Sequence, residues 1–170
     1  MKLARNQLLW IALVCAAPLV LGTAAYVLDW RPGTESNYGE LLAPKPVAGL
    51  EALRGKWALV MFDAPSCDAA CERKLYFLRQ VRRAQGKEMD RVERVWVLSG
   101  AGEPRAAILP GIEGTRMMRL PAEGFPGNPA EHLYLVDPLG NLMMRFPREP
   151  DPAKTIKDLQ RLLKYGPRTR

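Results

Sequence analysis

From Leu8 to Leu28 the chain runs 21 residues without a charged side chain, and no other stretch limits its folding so strongly. As a helix the run would be roughly 31 Å long at about 1.5 Å per residue, enough to cross the hydrocarbon core of a bilayer. Lys2 and Arg5 precede it with no acidic residue, and Asp29, Arg31 and Glu35 follow. That asymmetry predicts a cytoplasmic N-terminus, residues 1–7, a transmembrane helix over 8–28, and the rest of the chain outside. Thr23-Ala24-Ala25 offers small residues to a signal peptidase. The apolar run nevertheless exceeds the ~7–15 residues of a signal sequence, so an uncleaved anchor is expected. Val14 spoils a lipoprotein cleavage box before Cys15, which reads as a small apolar residue in the membrane.

The rest of the 170 residues suffices for one modest domain with a real core. The formal charge of +7 is spread over many Arg and Lys residues, as in a soluble cationic surface beside anionic headgroups. No aromatic residues interleave with them as in a nucleic-acid groove, and an exported domain would rarely meet nucleic acid.

Residues 29–45 read as a linker, with Pro32, Gly33, Ser36, Gly39 and Pro44 and no apolar periodicity. Trp57 to Phe62 is apolar without alternation, as a central strand covered on both faces is. Asp63 to Ser66 breaks it, and a helix is expected from near Cys67, with Leu75, Leu78 and Val81 on its apolar face. Val92 to Leu98 is a second strand. Between Gly100 and Asn128, Arg105–Leu109 fits a short helix and Thr115–Leu120 a short strand or turn. Two further apolar strands, His132–Val136 and Asn141–Phe146, are joined by Asp137-Pro138-Leu139-Gly140, a hairpin signal. Asp151-Pro152 opens a last helix that Gly166-Pro167 stops. The order predicts an α/β sandwich over residues 46–165, followed by a tail, 166–170. Its first two strands should be parallel and the hairpin an antiparallel edge.

Cys67 and Cys71 stand at the junction of the first strand and its helix. Such a thiol pair can cycle between dithiol and disulfide, or hold a soft metal. On the outer side of a bacterial inner membrane it can oxidise and stay oxidised. A helix starting at Cys67 would aim unpaired N–H groups and the positive helix end at its sulfur, aided by Arg73 and Lys74 and opposed by Asp68 and Glu72. Cys71 shares the core stripe of Leu75 and Leu78. The expectation is therefore an exposed, attacking Cys67 above a buried, resolving Cys71. A static disulfide staple is the other reading.

Leu53–Phe62, Cys67-x-x-x-Cys71 and Tyr134-Leu135-Val136-Asp137-Pro138-x-Gly140 together resemble the Sco/SenC branch of the thioredoxin-like proteins, over roughly Pro46 to Leu163. The resemblance implies a thioredoxin-like sandwich with a C-terminal hairpin and final helix behind one membrane anchor. It also implies thiol-disulfide exchange or copper delivery in cytochrome c oxidase assembly, with an oxidase subunit or assembly factor as partner. Asp68 and Glu72 stand where that family has prolines, Ser99-Gly100-Ala101-Gly102 where it has an acidic residue, and Pro129 where it has a copper-binding histidine.

In the redox version Cys67 and Cys71 are catalytic. In the metallochaperone version they are copper ligands, with His132, the chain's one histidine, as third donor. Pro129 tilts the reading toward exchange. A non-catalytic assembly module that docks through its basic surface is the remaining alternative. Met117, Met118, Met143 and Met144 are soft donors in principle but fit core or surface positions better.

Overall fold

An apolar strand without alternation needs cover on both sides, and a mixed sheet supplies it. The computed structural model describes residues 2–28 and 37–166 and divides into two compact units, Met1–Ser36 and Asn37–Arg170. Residues 29–36 of the expected linker and 167–170 of the expected tail lie outside the described residues, as does Met1. The first unit is helix α1 (Lys2–Val27). Within it Trp10–Val27, with a mean hydropathy of 2.0, is long and apolar enough to cross a membrane. Cys15 is an exposed free thiol on this helix.

The second unit runs β1 (Glu40–Pro46), β2 (Trp57–Asp63), α2 (Ala69–Arg83), β3 (Val92–Leu98), β4 (Thr115–Met118), β5 (Leu133–Val136), β6 (Asn141–Phe146) and α3 (Pro152–Tyr165). The strands form one sheet in the order β1-β6-β5-β2-β3-β4. The helix-linked pair β2 and β3 is parallel from Trp57↔Val92 to Asp63↔Leu98, and β4 continues in parallel. β5 joins the other side of β2 antiparallel, and β6 and then β1 follow antiparallel. This is the α/β sandwich that the element order predicted, in the thioredoxin-like arrangement that the resemblance implied.

Two details differ from the sequence reading. Strand β1 occupies part of the stretch read as linker and lies outside β6, so the hairpin is not the sheet edge. Its residues are mostly exposed and include Pro44 and Pro46, hence no alternation was visible. Proline is tolerated there because an edge strand has N–H groups to spare. The chain is tied down just before β1, where buried Asp158 on α3 accepts the N–H groups of Tyr38 and Gly39, each at 2.8 Å. Gly39 also permits close packing on β6, since a Cβ there would lie 2.5–2.8 Å from the side chains of Met144 and Phe146. The second difference is the start of α2, described with the site.

Alternation along the strands sorts the core into two layers. Trp57, Leu59 and Met61 of β2 face α2 and α3, against Leu75, Leu78, Val81, Leu159 and Leu163. Ala58, Val60 and Phe62 face the other way, under Leu50, Leu53 and Phe125 from the connecting segments. On that second face Phe62, Phe125 and Tyr134 meet edge to face with centroids 4.7–6.2 Å apart. The Tyr134 hydroxyl donates to Pro126 O at 2.7 Å, and burial raises its pKa.

Candidate functional site

β2 ends at Asp63 in the middle of the sheet, and the chain turns through Ala64–Ser66 into α2. Carboxyl ends of central strands are where open α/β sheets place their chemistry. Helix α2 begins at Ala69, not near Cys67, because Asp68 is its N-cap: one carboxylate oxygen accepts the N–H groups of Ala70 and Cys71, both at 2.9 Å. These two hydrogen bonds, the Cys71 one foremost, hold the Asp68 carboxyl below its ordinary value, with Lys74 and Arg73 adding to the effect. The first-turn donors expected to favour a Cys67 thiolate are thus already committed to Asp68.

Cys67 precedes the cap at φ 39°, the one non-glycine residue with positive φ among the described residues. Side chains occupy that region at a cost, and such residues cluster at functional sites. The turn folds the Cys67 side chain against the first turn of α2, where it is bonded to Cys71 as a disulfide with Cα atoms 5.1 Å apart. Cys71 lies on the core stripe as expected. Cys67 does not lie at an exposed tip: it is 1% exposed and Cys71 0%. Pairing draws both sulfurs into the core layer of Met61, Leu75, Trp96 and Leu133. Its neighbours Ala64, Ser66 and Asp68 are exposed, while Pro65 is buried with it.

Two cations brace this turn. Arg105 donates to Cys67 O and, at 2.8 Å, to Glu72 Oε1, linking the segment after β3 to both ends of the disulfide turn. Lys74, one turn beyond Cys71, pairs with Asp63 and donates to Ala130 O at 2.8 Å. The Trp96 indole N–H reaches Asp63 O at 3.3 Å. The sequence offered no signal for Arg105, a charge in a Gly- and Pro-rich segment 34 residues after Cys71. The spacing of Lys74 placed it near the pair but could not supply Asp63 as its partner.

His132 falls elsewhere. It sits half-buried just before β5, its Nδ1 2.9 Å from Phe146 O. Its ring meets that of Tyr134 at 6.3 Å. Tyr134 belongs to the aromatic face, whereas Leu133 and Leu135 lie on the cysteine face. The period-two alternation therefore puts His132 and the sulfurs on opposite sides of the sheet. Among the described residues no group of three or more His, Cys, Asp and Glu side chains could hold a metal ion. A Cys67/Cys71/His132 copper site does not assemble from this arrangement. Met144 is buried core and Met117 is exposed on β4, while Met118 and Met143 pack against the two core layers.

The arrangement offers a two-electron couple, two buried sulfurs joined across a helix start. Comparison with known proteins places it among relatives. A family described as "transmembrane-like, thioredoxin-like, C-terminal domain" matches residues 57–166. Apo Sco1 from Thermus thermophilus shares the fold at a TM-score of 0.54 and 18% identity, covering 78% of this chain and 98% of that one. Copper-bound yeast Sco1 does so at 0.55 and 15%, covering 76% and 90%. A thiol:disulfide interchange protein from a Bacteroides species matches at 0.49 and 17%, covering 75% and 91%. No curated protein matches the chain.

Proposed function

The chain belongs to the transmembrane-like, thioredoxin-like C-terminal domain family, and from that membership we infer that it is a membrane-anchored thiol-disulfide exchange protein working through Cys67 and Cys71. The observation that carries the reading is the Cys67–Cys71 disulfide at the end of the central strand, held in a positive-φ turn. In its reduced form, the Cys67 thiolate attacks a partner disulfide, forming a mixed disulfide and expelling one partner thiolate. The Cys71 thiolate then attacks Cys67 Sγ, closing the intramolecular disulfide and releasing the second partner thiolate. Two electrons pass to the partner, and a proton follows each released sulfur. The oxidised pair runs the same steps backwards. Both sulfurs are buried in the disulfide, and the entry role goes to Cys67 because it lies in the turn before the helix cap, whereas Cys71 is held on the core stripe of α2.

Helix α1 would anchor the domain in a bacterial inner membrane, with residues 1–7 cytoplasmic, 29–45 leading out, and 46–165 in the periplasm. There the partner would be a subunit or assembly factor of a respiratory oxidase, consistent with the fold shared with Sco1 proteins. The exchange steps use only the two sulfurs, and His132, the expected third donor of a Cys₂His site, lies with Tyr134 on the other face of the sheet. The test is a chromosomal Cys67→Ser/Cys71→Ser variant, with cytochrome c oxidase content as readout. Loss of assembled oxidase at normal levels of the variant is expected. Unchanged oxidase would overturn the thiol mechanism and leave a docking role. The single Cys71→Ser variant should accumulate a mixed disulfide through Cys67.

A further inference from the structure

Beside the second half of α2 lies a cavity of about 280 Å³ lined by Arg79, Arg82, Arg83 and Arg94, with Glu113 and Gly114 also on its wall. Arg94 is the unusual member. It lies on β3 between Val92 and Trp96, which face α2, and is only 4% exposed. Its Nη2 donates to Glu113 O at 2.5 Å, while Nε and Nη1 have no hydrogen-bond partner among the described residues. The adjacent carboxylate, Glu93, is engaged by Lys56 at 2.6 Å and Arg116 at 3.6 Å. Gly114, at φ +73°, leaves the guanidinium its place: a Cβ there would come within 3.1 Å of Nη2.

A guanidinium cannot shed its charge at ordinary pH. Desolvation and the charges of Arg82, Arg79 and Arg83 all disfavour that charge in Arg94. Arg82 is partly committed, donating through Nε to Val92 O at 2.7 Å and lying 3.5 Å from Asp90. A buried cation with idle donors among three others is costly, and an anion that pairs with it offsets that cost.

We propose that this cavity binds a phosphate group, with Arg94, whose Nε and Nη1 are buried and unpaired, in its wall and Arg79 and Arg83 lining it from α2. The arginine fork matches tetrahedral oxyanions bidentately. Four guanidiniums facing one lining carboxylate call for more negative charge than a single carboxylate ligand brings. The volume suits phosphate or pyrophosphate and falls just under the roughly 300–1,000 Å³ of drug-sized pockets. Arg79 is eight residues beyond Cys71 on α2, so the site lies about 12 Å along the helix from the sulfurs. The phosphate comes either free from water or as the headgroup of an anionic lipid.

Melting the full chain in nonionic detergent, followed by tryptophan fluorescence, tests the proposal. Inorganic phosphate and pyrophosphate are titrated against chloride at constant ionic strength. A saturable Tm rise of about 5 °C is expected. The surface variant Arg79→Gln/Arg83→Gln should weaken the response about tenfold by removing two charged donors. Arg94→Met should abolish it and, where the variant folds, raise the Tm of the free protein. A parallel arm compares the chain in phosphatidylcholine bilayers with and without phosphatidylglycerol, in phosphate-free buffer. A Tm rise confined to that arm, and lost in the double variant, assigns the site to lipid headgroups. The same Tm in all media, or a rise that Arg79→Gln/Arg83→Gln retains in full, overturns the proposal.

Discussion

One sheet serves two unlike faces. Away from the helices, Phe62, Phe125 and Tyr134 close edge to face, and the side-chain hydrogen bonds of Tyr134 and His132 end on backbone carbonyls. Beneath α2, the same strands border a disulfide at one end of the helix and a buried arginine with idle donors toward the other. The first face is polar only where its hydrogen bonds are met. The second holds reactive or incomplete groups, and there the backbone departs from comfort at Cys67. The contrast teaches that strand parity decides which residues can cooperate. His132 is two residues from Tyr134 and shares its face, and is thereby excluded from the sulfur pair.

If the faces are as separate as this, substitutions on one should leave the other's readout alone. Phe125→Ala should have the largest effect, costing about 3–5 kcal/mol of stability by opening a cavity among aromatics. Urea unfolding would measure the loss, while the redox potential of Cys67/Cys71 in the still-folded variant should not move. A shifted potential would break the comparison.

Asp68→Ala comes next and touches only the sulfur face. It should lower Tm at pH 7 by removing the cap of α2. Since the folded Asp68 carboxyl titrates below its ordinary 3.8, its stabilisation is complete above that value and is lost as pH falls through the lower folded pKa. The Tm gap between the native chain and the variant should therefore narrow as pH falls below about 4. A gap as wide in acid as at pH 7 would contradict the hydrogen bonds assigned to it.

Arg105→Ala should act more gently. The Arg105–Glu72 pair is half exposed, and such pairs contribute about 0.2–1 kcal/mol; with the hydrogen bond to Cys67 O lost as well, reduction of the disulfide by dithiothreitol should quicken by about fivefold. An unchanged rate would mean that Arg105 does not brace the turn. His132→Asn should have the smallest effect, with exchange rates unchanged to within about twofold and only the roughly 0.5–1.5 kcal/mol of one hydrogen bond at stake. A large loss of exchange would join the two faces and revive a role for His132.

Much of this was readable from the residues. The apolar run Trp57–Phe62, the stripe Cys71–Leu75–Leu78, the Asp137-Pro138-Leu139-Gly140 turn and the Asp151-Pro152 helix start each carry a local signal. The structure places an element at each of them. Strand β1 was not legible, because an edge strand held by Asp158 and β6 needs no pattern of its own. Nor was the burial of Cys67. Helical spacing predicts where a residue lies on a helix, but Cys67 lies before the cap in a turn whose sense only the disulfide and its surroundings determine. Arg94 and Arg105 were invisible for a shared reason: a charge acquires meaning from partners distant in sequence, or from lacking them. The cysteine pair itself was visible, but the expected division into one exposed and one buried sulfur does not hold in the disulfide, where both are buried, and His132, offered as a third donor, packs beside Tyr134 instead.

The central claim, that Cys67 and Cys71 form a working redox couple rather than a staple, is most directly tested by equilibrating the full chain in glutathione buffers of graded potential. Alkylation after acid quenching would count the free thiols, and the fluorescence of Trp96, in the same core layer as the sulfurs, would follow the transition. The account predicts one reversible two-electron step with a potential above about −300 mV, where exchange with cellular thiols is feasible. A pair that stays oxidised to potentials below about −300 mV would behave as structural disulfides do and would contradict it.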